Sequence, residues 1–257
     1  MHHSHIDKFA YQDSLIHRLD SRVKLIVTIV FTAVVISLPQ TSLSILVCYA
    51  VGPFVVLTLA GIPVNFVLKQ ILMVSPFILV LALSCLLYDS EPVNVAIGPF
   101  MLHIRLGWIK CFAILGKFTV TMAALIALVS TTRFSDLLTG AKRLGLPKLL
   151  AIQLGFLYRY IFILIDCIHR ILRARQVRKL KNLGFAKELK IGSAMVGSLF
   201  IRSLEKAERI STAMQARGFD GNWHSICQLK TGHSEWIFAL AAALFILGLY
   251  LIAPFIG

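Results

Sequence analysis

The stretch Leu25-Ile-Val-Thr-Ile-Val-Phe-Thr-Ala-Val-Val-Ile-Ser-Leu38 is followed, after the uncharged turn Pro39-Gln-Thr-Ser42, by a second apolar run over residues 43–60. Both runs read as membrane spans. The first is short, and Lys24 extends it because its stem can lie along apolar surface while the ammonium stays at the interface. Gly61-Ile-Pro63 breaks the second run, and Lys69 precedes a third over residues 70–87. Pro76 inside that run is tolerable where a neighbour or a polar group such as Ser75 satisfies the freed carbonyl. A fourth span covers 109–129 and a last one 236–255, with Trp236 and Tyr250 as interface anchors. The chain is therefore expected to be all-α, a polytopic membrane protein of about five transmembrane helices.

Composition supports this class. Of 257 residues 58% are hydrophobic, more apolar surface than a soluble domain can bury. The net charge of +14 is uneven, since residues 131–235 hold 18 lysines and arginines against 7 acids and so account for +11 of it. Nucleic acid is a poor explanation for that excess: no RNA- or DNA-binding motif is present, and membrane topology already predicts its sign. The five cysteines (Cys48, Cys85, Cys111, Cys167, Cys227) have no paired spacing, which argues against a disulfide framework or a zinc site.

Charge also orients the chain. Asp89, Glu91, Pro92 and Pro99 mark a loop with few basic residues, which belongs outside, whereas the basic block belongs inside. The expected plan is a cytosolic amino-terminal segment (1–24), four transmembrane helices (25–130), a cytosolic domain of coupling helices (131–235) and a last transmembrane helix (236–257). The amino-terminal segment shows no signal peptide. A free amino terminus with His at position three, as in Met1-His2-His3, could wrap a square-planar Cu(II) or Ni(II) ion, or His2, His3, His5 and His17 are solvated tail residues without the surrounding groups that orient ligands. Lys110 and Lys117 lie in the fourth span. Lys117, near mid-depth, either marks function or pairs with a neighbouring helix. Gly116-Lys117 is not a phosphate loop, because Phe118 stands where Ser or Thr is required and Cys111 where the first Gly would be. No nucleophile-base pair, carboxylate pair or metal-ligand cluster has plausible spacing, so neither an enzyme, a bound cofactor nor a metal site is expected.

Within the basic block, Ser135 reads as the cap of a short amphipathic helix over 136–144, closed by Gly145. A long helical segment then starts near Pro147 and ends in Arg170-Ile-Leu-Arg-Ala-Arg-Gln-Val-Arg-Lys-Leu-Lys181; with Arg159 inside its apolar half, it reads as lying across the inner surface. The final helix includes Glu205-Lys-Ala-Glu-Arg-Ile-Ser-Thr-Ala-Met-Gln-Ala-Arg-Gly-Phe-Asp220. Ile201, Leu204, Ala207, Ser211 and Met214 recur at three- and four-residue steps and are expected on one face. Gly218 can take the left-handed conformation that stops a helix, with Phe219 folding back on Met214. Arg217 would then project from a blunt tip between the small residues Ala216 and Gly218. Ala174-Arg175-Gln176 repeats the Ala-Arg pattern upstream. The alternative is that basic helices beside a membrane simply meet anionic lipid or set topology.

Several of these blocks match a known family. Ser14-Leu-Ile-His-Arg-Leu-Asp-Ser-Arg-Val-Lys24, Thr131-Thr-Arg-Phe-Ser-Asp-Leu-Leu138, Leu146-Pro-Lys-Leu-Leu150, Tyr158-Arg-Tyr160 and Ser203 through Phe219 resemble the blocks of the transmembrane T subunits of energy-coupling factor (ECF) transporters. Ser21 replaces the usual Pro. Ile6-Asp-Lys-Phe-Ala-Tyr11 makes the chain most similar to the cobalt-type T subunit, CbiQ. The resemblance implies a non-catalytic coupling subunit of an ATP-driven cobalt importer in a bacterial or archaeal inner membrane. It also implies that Ala174, Arg175 and Gln176, with Ala216, Arg217 and Gly218, seat in a pair of ATPase subunits, and that a separate membrane S subunit binds the metal ion. Gln176 departs from the usual Gly. The same helices would serve nickel or vitamin uptake, and a lipid-surface-binding membrane protein without an ATPase partner is the rival of another class.

Overall fold

A computed structural model describes residues 14, 16–39, 43–88, 92–97, 100–178, 184–219, 221 and 233–256. Its elements run α1 (Ser21–Ser37), α2 (Leu43–Leu59), α3 (Val64–Tyr88), β1 (Pro92–Ile97), β2 (Phe100–Arg105), α4 (Leu106–Thr131), α5 (Phe134–Arg143), α6 (Lys148–Arg178), α7 (Phe185–Ala216) and α8 (His233–Ile256). The chain divides into two units, Met1–Leu144 with Cys227–Gly257, and Gly145–Ile226. The helical membrane-protein class is borne out.

One element was not expected. The stretch around Pro92, read as a loop, forms an antiparallel hairpin in which Pro92 pairs with Arg105 and Ile97 with Phe100. The β-branched Val93, Val95 and Ile97 favour extended backbone, and Pro92 takes the first strand position, where a missing N–H is tolerated. Two helix starts also shift. Gly61 adopts φ +70 after α2, Pro63 presets the following turn, and α3 begins at Val64 so that Lys69 lies inside it. In α5 the cap position is Arg133, in extended conformation and with no side-chain cap bond, while Ser135 falls in the first turn. The amides of Asp136 and Leu137 both reach the Arg133 carbonyl, so the helix needs no hydroxyl cap. Gly145, at φ +110, closes it as expected.

Among the described residues α3, α4 and α6 are long and apolar enough to cross a membrane. Helices α1 and α2 have 17 residues each, about 26 Å at 1.5 Å per residue, just short of a hydrocarbon core of about 30 Å. α3 leaves Leu72, Met73 and Phe77 exposed, a surface suited to lipid or another membrane chain.

The first unit is a bundle of α1, α2, α4 and α8, with α3 on α4. Its centre is Tyr49, which has no solvent exposure, donates its hydroxyl to the Ile246 carbonyl at 3.3 Å and sits between Phe31 and Phe245, with ring centroids 6.0 and 6.4 Å away. Small residues let the helices close up, as is usual where lipid supplies no hydrophobic drive between them. Ala123 and Ala127 of α4 pack with Leu57, Ile62 and Val67 in one cluster. At Gly116 a Cβ would stand 2.4 Å from Cδ2 of the buried Leu46. Gly116→Val is therefore expected to displace the buried Leu46 side chain from its place in the core, at a cost of about 2 kcal/mol. Thermal melting in detergent checks this, and an unchanged midpoint would contradict the close packing.

Lys117 resolves its own ambiguity. From the middle of α4 its Nζ donates to the carbonyls of Ile36, at 3.1 Å, and Leu38, both at the carboxyl end of α1. It pairs with a neighbouring helix, as a cap on that helix's unsatisfied carbonyls.

Candidate docking tips of the α6–α7 pair

The second unit consists of α6 and α7. They run antiparallel: Arg175 near the end of α6 forms an ion pair with Glu188 near the start of α7, and the ring of Phe156 near the start of α6 lies 6.3 Å from Phe219 just past the end of α7. Between them is a groove of about 600 Å³, lined by Phe156, Tyr160, Ala207, Ile210 and Met214 among others. Ala207, Ser211 and Met214 share this face as expected. Ile201 and Leu204 do not line it and are exposed. At about 100° per residue Ile201 has turned well away from Ala207 and Met214, and Ile210 takes the groove position instead.

The end of α7 follows from its last residues. Arg217 is the C-cap at φ −92 and ψ 10, and Gly218 takes φ +75. The Phe219 amide donates to the Met214 carbonyl at 3.0 Å and the Gly218 amide to the Gln215 carbonyl at 3.0 Å. This is the paired bonding of a Schellman cap, and Met214 and Phe219 line the same groove beneath it. The turn thus fixes the backbone on which the exposed Arg217 stands. A Cβ at Gly218 would meet nothing, so only the positive φ demands glycine there. Gly218→Ala is expected to destabilise this end by about 1 kcal/mol, read as faster amide exchange at Gly218 and Phe219; unaltered exchange would show that the cap does not depend on glycine.

The other tip has a different setting. Ala174, Arg175 and Gln176 lie within α6, near its described end, with Ala174 and Gln176 exposed and Arg175 half-buried. The Arg175 guanidinium is held by Glu188, a partner that the sequence reading did not single out because the two meet only when the chain reverses between helices. The two triplets stand at opposite ends of the pair. Along α7, from Glu188 to Arg217, that separation is about 44 Å.

The foot of α1, in the first unit, is a second polar site. Asp20 caps α1, its Oδ1 accepting from the Arg22 amide at 2.9 Å. The Ser21 hydroxyl donates to the Asp136 carbonyl of α5 at 2.7 Å, and Gly140 lies against it, where a Cβ would be 2.8 Å from Ser21 Oγ. Ser21 is the first residue of α1, a position that also suits proline, but only a hydroxyl can make this tie to α5. Lys24 Nζ donates to the carbonyls of Thr131, at 3.0 Å, and His17, at 3.3 Å. Lying ahead of the apolar run that starts at Leu25, its ammonium is held down to about 8 by burial, against the opposing pull of Asp136 and Asp20. Among the described residues no three His, Cys, Asp or Glu side chains are placed to hold a metal ion. His2, His3 and His5 lie outside the described residues, as does Cys227.

The family described as CbiQ, cobalt transport protein, matches residues 12–228. The chain belongs to the CbiQ family. Its relatives include the energy-coupling factor transporter transmembrane proteins EcfT of Bacillus selenitireducens, 30% identical over 229 residues and 84% of each chain, and of Bacillus subtilis, 28% identical over 231 residues and 84% of each chain. The cobalt transport protein CbiQ of Salmonella typhimurium is 25% identical over 132 residues, 51% of this chain and 58% of that protein. This CbiQ-family chain is thus a membrane protein of the transporter type, similar to the transmembrane subunits of ECF transporters.

Proposed function

We propose that this CbiQ-family chain is the coupling subunit of an ATP-driven cobalt importer, passing the closure of two ATPase subunits to a substrate-binding membrane S subunit. The observation that carries this reading is the end of α7, where a Schellman cap presents Arg217 on a fixed backbone between two small residues. Such a tip lets another chain come close, and the planar guanidinium can hold a carboxylate at two points, which an ammonium cannot. Ala174, Arg175 and Gln176 form the second tip. Its distance from the first, about 44 Å along α7, suits contact with two separate subunits rather than two sites on one surface. Cobalt as the cargo is supported by the family's description and the Salmonella relative. The amino terminus and residues 131–235 then face the cytosol, a placement supported by the excess of basic residues and by Arg159 in the apolar half of α6, although that helix is long enough to span.

The test is copurification of the full chain with candidate ATPase subunits, comparing wild type with the Arg175→Ala, Arg217→Ala double variant. Loss of the partner from the double variant alone is the expected result. Undiminished capture would overturn the docking role and favour attraction of the basic block to anionic lipid.

A further inference from the structure

A second cavity, about 690 Å³, opens in the first unit between α1, α2, α4 and α8. Its body is apolar, lined by residues such as Val27, Phe31, Val55, Leu59 and Phe245, and Arg18 and Lys24 mark one end. Phe31 lies about 10 Å further along α1 than Lys24, so the cavity runs from a cationic end to an aromatic one, parallel to the spans. Gly52 and Pro53 of α2 form part of its wall. Pro53 has no N–H to return to the helix, and a Cβ at Gly52 would stand 2.9 Å from the Phe245 ring, so this stretch keeps the wall thin where α8 approaches.

The cationic end carries a specific chemical demand. Lys24 is 5% exposed, and two of the three N–H groups of its ammonium serve the carbonyls of Thr131 and His17. The two carbonyls do not neutralise the charge; Asp136 and Asp20 favour it from nearby, and burial still outweighs them. Asp20 accepts from the Arg22 amide through Oδ1 and its Oδ2 is buried without a hydrogen-bond partner, but neither it, Asp136 nor Glu235 lines the cavity; among the described lining residues there is no acid. Exposed Arg18 stands at the same end with its forked guanidinium.

We infer that the cavity between α1, α2, α4 and α8 binds one anionic phospholipid, with an acyl chain in the apolar body and the phosphate on Arg18 and the third N–H of Lys24. The shape favours a lipid over a partner helix. A helix about 10 Å across would fill this volume with only about 9 Å of its length, less than two turns, whereas the space falls in the usual range for one small amphiphilic ligand. The polarity runs the same way as a bilayer leaflet, with charge at the foot of the bundle and hydrocarbon alongside the spans.

Native mass spectrometry of the full chain in detergent tests this, with phosphatidylglycerol, phosphatidylcholine or inorganic phosphate added separately. Wild type is expected to retain one phosphatidylglycerol about tenfold more tightly than phosphatidylcholine, and inorganic phosphate should not displace it. Arg18→Gln should erase that preference. Ala242→Trp, which places a large ring in the cavity wall, should remove the lipid whatever its head group. Equal retention of the two lipids, displacement by phosphate, or wild-type retention in either folded variant would overturn the assignment. Arg18 is exposed, so its variant decides the question even where the tryptophan variant does not fold.

Discussion

Arg217→Glu is expected to abolish capture of the ATPase subunits while Lys187→Glu leaves it nearly intact. Both replacements remove the same charge from the same helix, and both positions are exposed, so bulk attraction to an acidic partner would be weakened equally by each. The positions differ in geometry. Arg217 caps α7 beside Gly218, whereas Lys187 lies in the first turn, where an acid is favoured by the helix dipole. Seated in a partner's pocket, Arg217 would act as a hot spot worth about 2 kcal/mol or more, roughly a thirtyfold loss on removal, and a glutamate would add repulsion. The fold should survive, since an acid at an exposed helix end costs only about 0.3–1 kcal/mol. Quantitative copurification measures the effect, and equal losses from the two variants would sink the docking reading.

Lys117→Met is expected to lower the stability of the membrane unit by about 2 kcal/mol, a shift of several degrees in the melting midpoint. The ammonium satisfies the Ile36 and Leu38 carbonyls, which end α1 without intrahelical partners. A thioether cannot donate to them. The loss is smaller than two orphaned carbonyls alone would give, because the variant no longer holds a charged group at membrane depth. Lys117→Arg should recover most of the stability, since it restores both charge and donors. Melting in detergent decides the matter: a variant as stable as wild type would mean that the cost of placing the ammonium there cancels its two bonds.

The outcomes at these positions show how far local sequence reaches. Gly218 and Phe219 were readable in advance because a Schellman cap is built from a few consecutive residues whose backbone preferences suffice to form it. The span class was readable for a similar reason, since burying each apolar run in lipid requires nothing from the rest of the chain. Ile201 and Leu204 follow the apolar stripe in sequence but leave the groove, because two successive three-residue steps turn Ile201 about 120° from Ala207 and which part of the stripe meets α6 depends on where the two helices cross. The hairpin of β1 and β2 was read as a loop because its prolines and acids outweighed a short run of β-branched residues, whose pairing became visible only with the partner strand.

The sequence by itself determined the helical membrane-protein class and the family, and it marked the two Ala-Arg triplets at Arg175 and Arg217, since each rests on hydropathy or a short motif. The tertiary structure alone decided that Glu188 holds Arg175, that Lys117 caps α1, that Ser21 ties α1 to α5, and that a cavity with a cationic end lies between four helices. Those contacts join residues as far as 115 positions apart, and no local preference specifies them. Each is set by which carbonyl, hydroxyl or carboxylate the packing of whole helices brings within reach of a donor.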